Sequence, residues 1–183
     1  MKLFLIRHGQ DHDNACSLIN GRRDTELSEV GKVQASDAAR ALRSAAISCA
    51  YTSPLTRARQ TASIVAAVLG IAEPRVDSDL IERDYGILTG RPVSEIPVHA
   101  TRLIEAHGFK YVIEAPGIES YAELWKRAGC FLQRIRQQYP NDRVLVVAHN
   151  EIIKMIRANF SGETWEDELR RPPLANGQVI ALG

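Results

Sequence analysis

The chain has 183 residues, 45% hydrophobic and 25% charged, and 23 Lys plus Arg against 22 Asp plus Glu leave a formal net charge of +1. A chain of this length makes one domain, or one with a small cap, and its balanced charge excludes the basic field that draws a protein to nucleic acid or membrane surfaces. No apolar run is long enough to span a bilayer, the N-terminus carries no secretory leader, and Cys16, Cys49 and Cys130 are far apart with no CxxC, so a cytoplasmic protein with reduced thiols, no disulfide framework and no zinc site is expected.

Residues 2–6, with Leu3, Phe4, Leu5 and Ile6, read as a buried strand that stops at Arg7-His8-Gly9. A cation and an imidazole at the tip of such a strand, beside a glycine that lets the backbone approach a ligand, mark a candidate site. Residues 7–27 are polar, with a turn at Asn20-Gly21, and are expected to be loop. Ser28 can cap a helix reaching about residue 44, with Val30, Val33, Ala38, Ala41 and Leu42 as its apolar face. A second strand covers residues 47–52. Ser53 as N-cap and Pro54 at the first helical position then open a helix through Leu55, Ala58, Ala62, Val65 and Leu69, ended by Gly70. Arg57 falls in its first turn, against the helix dipole, as if Arg57 and the helix N-terminus shared one anion.

Residues 75–80 can form a third strand that delivers Glu82. Residues 91–117 carry Pro92, Pro97 and Pro116, show poor periodicity, and are expected to be an inserted cap or lid with one short helix. Ser120 and Glu123 make a capping box for a long helix whose core face is Tyr121, Leu124, Trp125, Ala128, Leu132 and Ile135. Residues 143–148 contain the unbroken apolar run of a buried parallel strand and end at His149-Asn150. A helix over residues 151–160 and an edge strand over 178–182 complete the chain.

This alternation predicts an α/β fold: a three-layer sandwich with a mainly parallel central sheet flanked by helices, in a single domain over residues 1–183 with a cap insertion at about 91–117. In such sheets ligands bind outside the carboxyl ends of the strands. Arg7, His8, Arg57, Glu82 and His149 all fall at that edge. Two arginines, two histidines and a carboxylate suit a phosphoryl group. Arginine forks grip its oxygens without losing charge, a neutral imidazole can attack it, Arg7, Arg57 and a protonated His149 can steady the developing charge, and Glu82 can protonate the leaving oxygen if its pKa is raised. Arginines among the ligands would repel a metal ion, and the chain has no HExxH, no GxSxG and no P-loop.

The motifs, in order, resemble the histidine phosphatase superfamily, which includes the phosphoglycerate mutases and their phosphatase relatives. They are Leu5-Ile6-Arg7-His8-Gly9-Gln10 with Asn14, the segment from Gly21 to Gly31 with Gln34-Ala35, and Thr52-Ser53-Pro54-Leu55-Thr56-Arg57-Ala58-Arg59-Gln60-Thr61. Glu82 to Gly90, Gly117-Ile118-Glu119-Ser120 and Val146-Val147-Ala148-His149 follow. The resemblance implies that His8 is the phosphorylated nucleophile, that Arg7, Arg57 and His149 hold the phosphoryl group, and that Glu82 is general acid and then base. Asn14, Gly21 and Asn150 become substrate-contacting positions, and no metal or organic cofactor is implied. Asn150 stands where glycine is usual and Asp11 where threonine or serine is common. The insertion is short beside that of the glycolytic mutases.

The expected activity is a phosphomonoesterase acting on a small phosphorylated metabolite through phosphohistidine, with no nucleic-acid or membrane partner and with a homodimer possible. The alternatives are a phosphoglycerate mutase, disfavoured because a mutase must close over its intermediate, and a non-catalytic binder of phosphorylated ligands or proteins on the same fold.

Overall fold

The structure, a computed structural model, describes residues 1–183. Its strands are β1 (Lys2–Arg7), β2 (Cys49–Thr52), β3 (Arg75–Val76), β4 (Arg102–Ala106), β5 (Phe109–Glu114), β6 (Arg143–Ala148) and β7 (Val179–Leu182). Five of them form the central sheet in the order β3-β2-β6-β1-β7; β4 and β5 pair only with each other. All central pairings are parallel except β1 with β7, which lies antiparallel at the edge. The helices are α1 (His12–Ala15), α2 (Glu29–Ala41), α3 (Thr56–Leu69), α4 (Ile96–His99), α5 (Tyr121–Gln138), α6 (Asn150–Ser161) and α7 (Trp165–Leu169).

Strand periodicity decides the layering, because successive side chains point to opposite faces. Leu3, Leu5, Val144 and Val146 pack with Leu124, Phe131 and Ile152 of α5 and α6. Their neighbours Phe4, Ile6, Leu145 and Val147 pack with Ala38, Ala39, Ala62 and Val65 of α2 and α3. The sheet is thus covered on both faces, as parallel sheets require. A third small cluster, with Ile19, Leu88, Ile96 and Val112, lies under the β4–β5 hairpin. No helix is long and apolar enough to cross a membrane.

Several expected elements are corrected. The apolar face of α2 is Gly31, Ala35, Ala38 and Ala39, while Val30 and Val33 are exposed; small side chains let α2 pack against the alanine-rich α3. Ser53 is not the cap of α3. Leu55 holds that position without a side-chain bond, and Asp24 takes the first N–H and the hydroxyl of Thr56, at 2.6 and 3.0 Å. The anion at the α3 N-terminus is therefore the chain's own Asp24. Residues 75–80 give only the two-residue β3, followed by a 3-10 turn at Ser78–Leu80. Trp125, expected in the core face of α5, is 36% exposed, whereas Tyr121, Leu124, Ala128, Leu132 and Ile135 are buried. The 7–27 loop contains α1, capped by Asp11. The 91–117 segment, expected to hold one short helix, holds α4 and the hairpin as well.

Candidate active site

Strand register brings the two histidines together. Arg7 pairs with Ala148 across β1 and β6, so His8 and His149 leave adjacent strands side by side, with ring centroids 5.0 Å apart. On the other flank of β6, Thr52 pairs with Val147, which places Ser53 Oγ 2.7 Å from His149 Nε2. Gly9, read as making room for a ligand, instead lies against its own chain. A Cβ there would stand 2.3 Å from the carbonyl oxygen of Gly31 at the start of α2.

His8 is buried, and its Nδ1 lies 2.7 Å from the Gly9 carbonyl oxygen. A carbonyl only accepts, so Nδ1 carries the proton and the Nε2 lone pair faces outward. Arg57 Nε donates to that Nε2 at 3.3 Å. Burial first, then the charges of Arg57 and Arg7, hold the imidazole pKa well below its ordinary value. The result is a neutral, oriented imidazole.

Arg57 is fixed on every side. Its Nη1 donates to the Arg23 carbonyl at 2.6 Å, its Nη2 to that of Gly21 at 2.9 Å, and Asp11 Oδ2 lies 3.3 Å from its Nε. Arg7 donates through Nη1 to the Leu174 carbonyl, while its Nε is buried without a partner. His149 is fully buried, and its Nδ1 is also without a partner. Burial, Arg57, His8 and Arg7 push its pKa well below the ordinary value, so the protonated His149 expected from the sequence is replaced by a neutral one in the free site.

Glu82 reaches the N-terminus of α6. Its Oε2 accepts from the Glu151 N–H and its Oε1 from the Ile152 N–H, both at 3.4 Å, with the Arg83 N–H at 2.9 Å. A carboxylate suits this end of a helix, yet burial and the neighbouring Glu151 carboxylate outweigh these bonds and Arg57, and its pKa is raised. Arg7, His8, Asn14, Gly21, Arg57, Glu82 and Asn150 all line one cleft of ≈ 370 Å³. His149 is fully buried beside His8. The Asn150 amide is oriented by two bonds: its Nδ2 donates to Glu151 Oε1 at 2.8 Å, and its Oδ1 accepts from Leu174 N–H at 2.9 Å, which leaves one N–H for a ligand. No three His, Cys, Asp or Glu side chains are grouped as a metal ion would need.

Residues 3–183 match the pattern of the Histidine phosphatase superfamily (branch 1). The chain belongs to this superfamily. It is 33% identical over 153 residues to phosphoserine phosphatase 1 of Hydrogenobacter thermophilus, covering 81% of this chain and 71% of that one. It is also 33% identical over 172 residues to a 2,3-bisphosphoglycerate-dependent phosphoglycerate mutase of a Methylobacterium species, with coverages of 90% and 82%. Among solved structures, a mycobacterial glucosyl-3-phosphoglycerate phosphatase complexed with VO3 superposes with a TM-score of 0.86 at 27% identity, over 100% of this chain and 92% of the other. Histidine phosphatases and mutases thus both stand among its relatives.

Four polar residues of this histidine phosphatase site were not singled out as site residues from sequence. Asp11, 0% exposed, binds Arg57, Asn20 and Thr25. Ser53 contacts His149. Glu151, buried beside Glu82, accepts from the Tyr121 hydroxyl at 2.7 Å. Asn176, next to β7, donates to the His8 carbonyl at 3.1 Å and to Asn14 Oδ1 at 2.9 Å. Only Asp11 and Ser53 fell inside recognisable motifs, the first as a departure and the second as a supposed helix cap.

Proposed function

We propose that the protein is a phosphomonoesterase that works through a phosphohistidine on His8. The observation that carries this reading is the state of His8: a neutral imidazole whose Nε2 lone pair, held by the buried Arg57, faces a cleft that Arg7 and Arg57 both line. A phosphoryl oxygen entering the cleft takes over the Arg57 N–H now given to Nε2, and Arg7 Nε and His149 Nδ1–H supply further donors once Ser53 Oγ–H donates to His149 Nε2. Nε2 then attacks phosphorus while the phosphorus–oxygen bond to the alcohol breaks, and the leaving oxygen takes the proton of Glu82. The resulting Glu82 carboxylate accepts a proton from water as that water attacks the phosphohistidine. This releases inorganic phosphate and restores both groups.

The test is phosphate release across a panel of phosphomonoesters, with the conversion of 3-phosphoglycerate to 2-phosphoglycerate followed in parallel. Release from some of them, lowered about 10⁴-fold or more by His8→Ala and untouched by a chelator, is the expected outcome. Interconversion of the phosphoglycerates with little release would replace the reading by the mutase. Turnover that survives His8→Ala would remove the mechanism.

A further inference from the structure

Next to the cleft, and sharing walls with it, is a second chamber of ≈ 310 Å³ lined by the hairpin turn and the segment around α4. The two chambers share Ile19, Tyr85, Val93 and Phe109 as common walls, and the second adds Ile96 and Pro97. The charged side chains of the first chamber, Arg7, Arg57, Glu82 and Glu151, belong to the network around His8 and the α6 N-terminus. The second chamber has one charged lining residue, Lys110, whose partner across the hairpin register is Glu105, an opposite charge on the neighbouring strand.

Val93 is 47% exposed, yet it and Phe109 line both this chamber and the cleft that holds His8. Apolar side chains held at the mouth of a concave site signal what the site takes. Apart from the exposed Lys110, nothing in this lining offers a charged partner to a carboxylate or ammonium that leaves water. An uncharged ring or branched chain would gain from leaving water.

We infer that the second chamber is the subsite for the leaving alcohol, and that the preferred substrates are phosphomonoesters of alcohols carrying an uncharged aromatic or bulky apolar group. This inference rests on the phosphatase reading for turnover, though not for binding. The experiment uses two pairs of compounds. Among esters, kcat/KM is measured for 2-phenylethyl phosphate, ethyl phosphate and O-phosphoserine, all esters of primary alcohols, so that leaving-group chemistry contributes little to the ratios. Among non-hydrolysable analogues, the Kd of 2-phenylethylphosphonate is compared with that of ethylphosphonate by calorimetry.

The phenylethyl ester is expected to exceed ethyl phosphate and phosphoserine about tenfold or more, with a similar ratio between the two phosphonate affinities. Val93→Asn, at a half-exposed position, and Phe109→Ala are each expected to reduce the phenylethyl-to-ethyl ratio to about threefold or less. Equal phosphonate affinities, a preference for phosphoserine, or ratios that survive both substitutions would overturn the apolar subsite. Tenfold selectivity in phosphonate binding without phosphate release from any ester would overturn the phosphatase reading and leave the subsite standing.

Discussion

Glu82 and Glu151 are two buried carboxyl groups at the first turn of α6, and the charge of the second adds to what burial does to the first. Burial is the larger cause of the raised Glu82 pKa and the Glu151 charge the next, against the Arg83 and Glu151 N–H bonds and Arg57. On the proposed reaction His8 must be neutral and Glu82 protonated. The acid limb of kcat/KM therefore lies below the ordinary histidine value of 6.5 and the alkaline limb above the ordinary glutamate value of 4.5. Glu151→Gln keeps an acceptor for the Tyr121 hydroxyl and removes the charge. The alkaline limb is expected to move to lower pH, seen in pH profiles of the two proteins side by side; an unmoved limb would mean that Glu82 is not the titrating acid. Residues such as His8, Arg7 and Arg57 were legible because the order of strands and helices brings them to one edge of the sheet, inside motifs that run in sequence along the chain. Glu151 and Asn176 were not, because an acid in a helix and an amide in a loop are ordinary until the fold sets one beside Glu82 and the other against the His8 carbonyl.

At the scale of elements, the turn after β1 is set by contact with the start of α2. Gly9 and Gly31 touch backbone to backbone: a Cβ on Gly31 would stand 2.0 Å from the Gln10 carbonyl oxygen. Gly31→Ala must push the His8 loop away from α2, and no flexible side chain is there to yield. It is expected to cost about 1–3 kcal/mol of stability, the range for overpacking, and to lower kcat as His8 moves. Denaturant unfolding and steady-state rates check both, and an unchanged midpoint would show that the loop relaxes freely. Strands β1 and β6 were legible from their apolar runs, since burial on both faces leaves no competing pattern, whereas the exposed two-residue β3 has no such run. The hairpin was not. Its turn is His107-Gly108, both with positive φ, 53° and 70°, the geometry of a two-residue hairpin turn that normally advertises itself as Asn-Gly or Asp-Gly. Histidine in the first place hid it. Asp24 hid the α3 cap in the same way, because its carboxylate reaches Thr56 from 32 residues upstream, beyond any local capping rule.

For the molecule as a whole, the site lowers stability in acid. His8 and His149 are both held neutral by burial and nearby arginines, with folded pKa values well below 6.5. As pH falls through 6.5 the unfolded chain takes up protons on both and the folded chain on neither, so stability drops, by up to about 1.4 kcal/mol per pH unit for each histidine. Glu82 works in the opposite sense, since its raised folded pKa lets the folded state keep a proton that the unfolded state releases above 4.5. It is one group against two. Glu119, whose pKa is lowered chiefly by Arg127 despite its burial, loses its contribution only below 4.5 and stays outside this window. Unfolding free energy is therefore expected to fall steadily from pH 7 to about pH 5, and His8→Gln to make that fall shallower by about one proton's worth. Urea titrations at several pH values measure it. A flat profile, or a slope unchanged in His8→Gln, would mean that the imidazole titrates in the folded protein as it does in water, and His8 would then not be held as the neutral nucleophile that the proposed phosphoryl transfer needs.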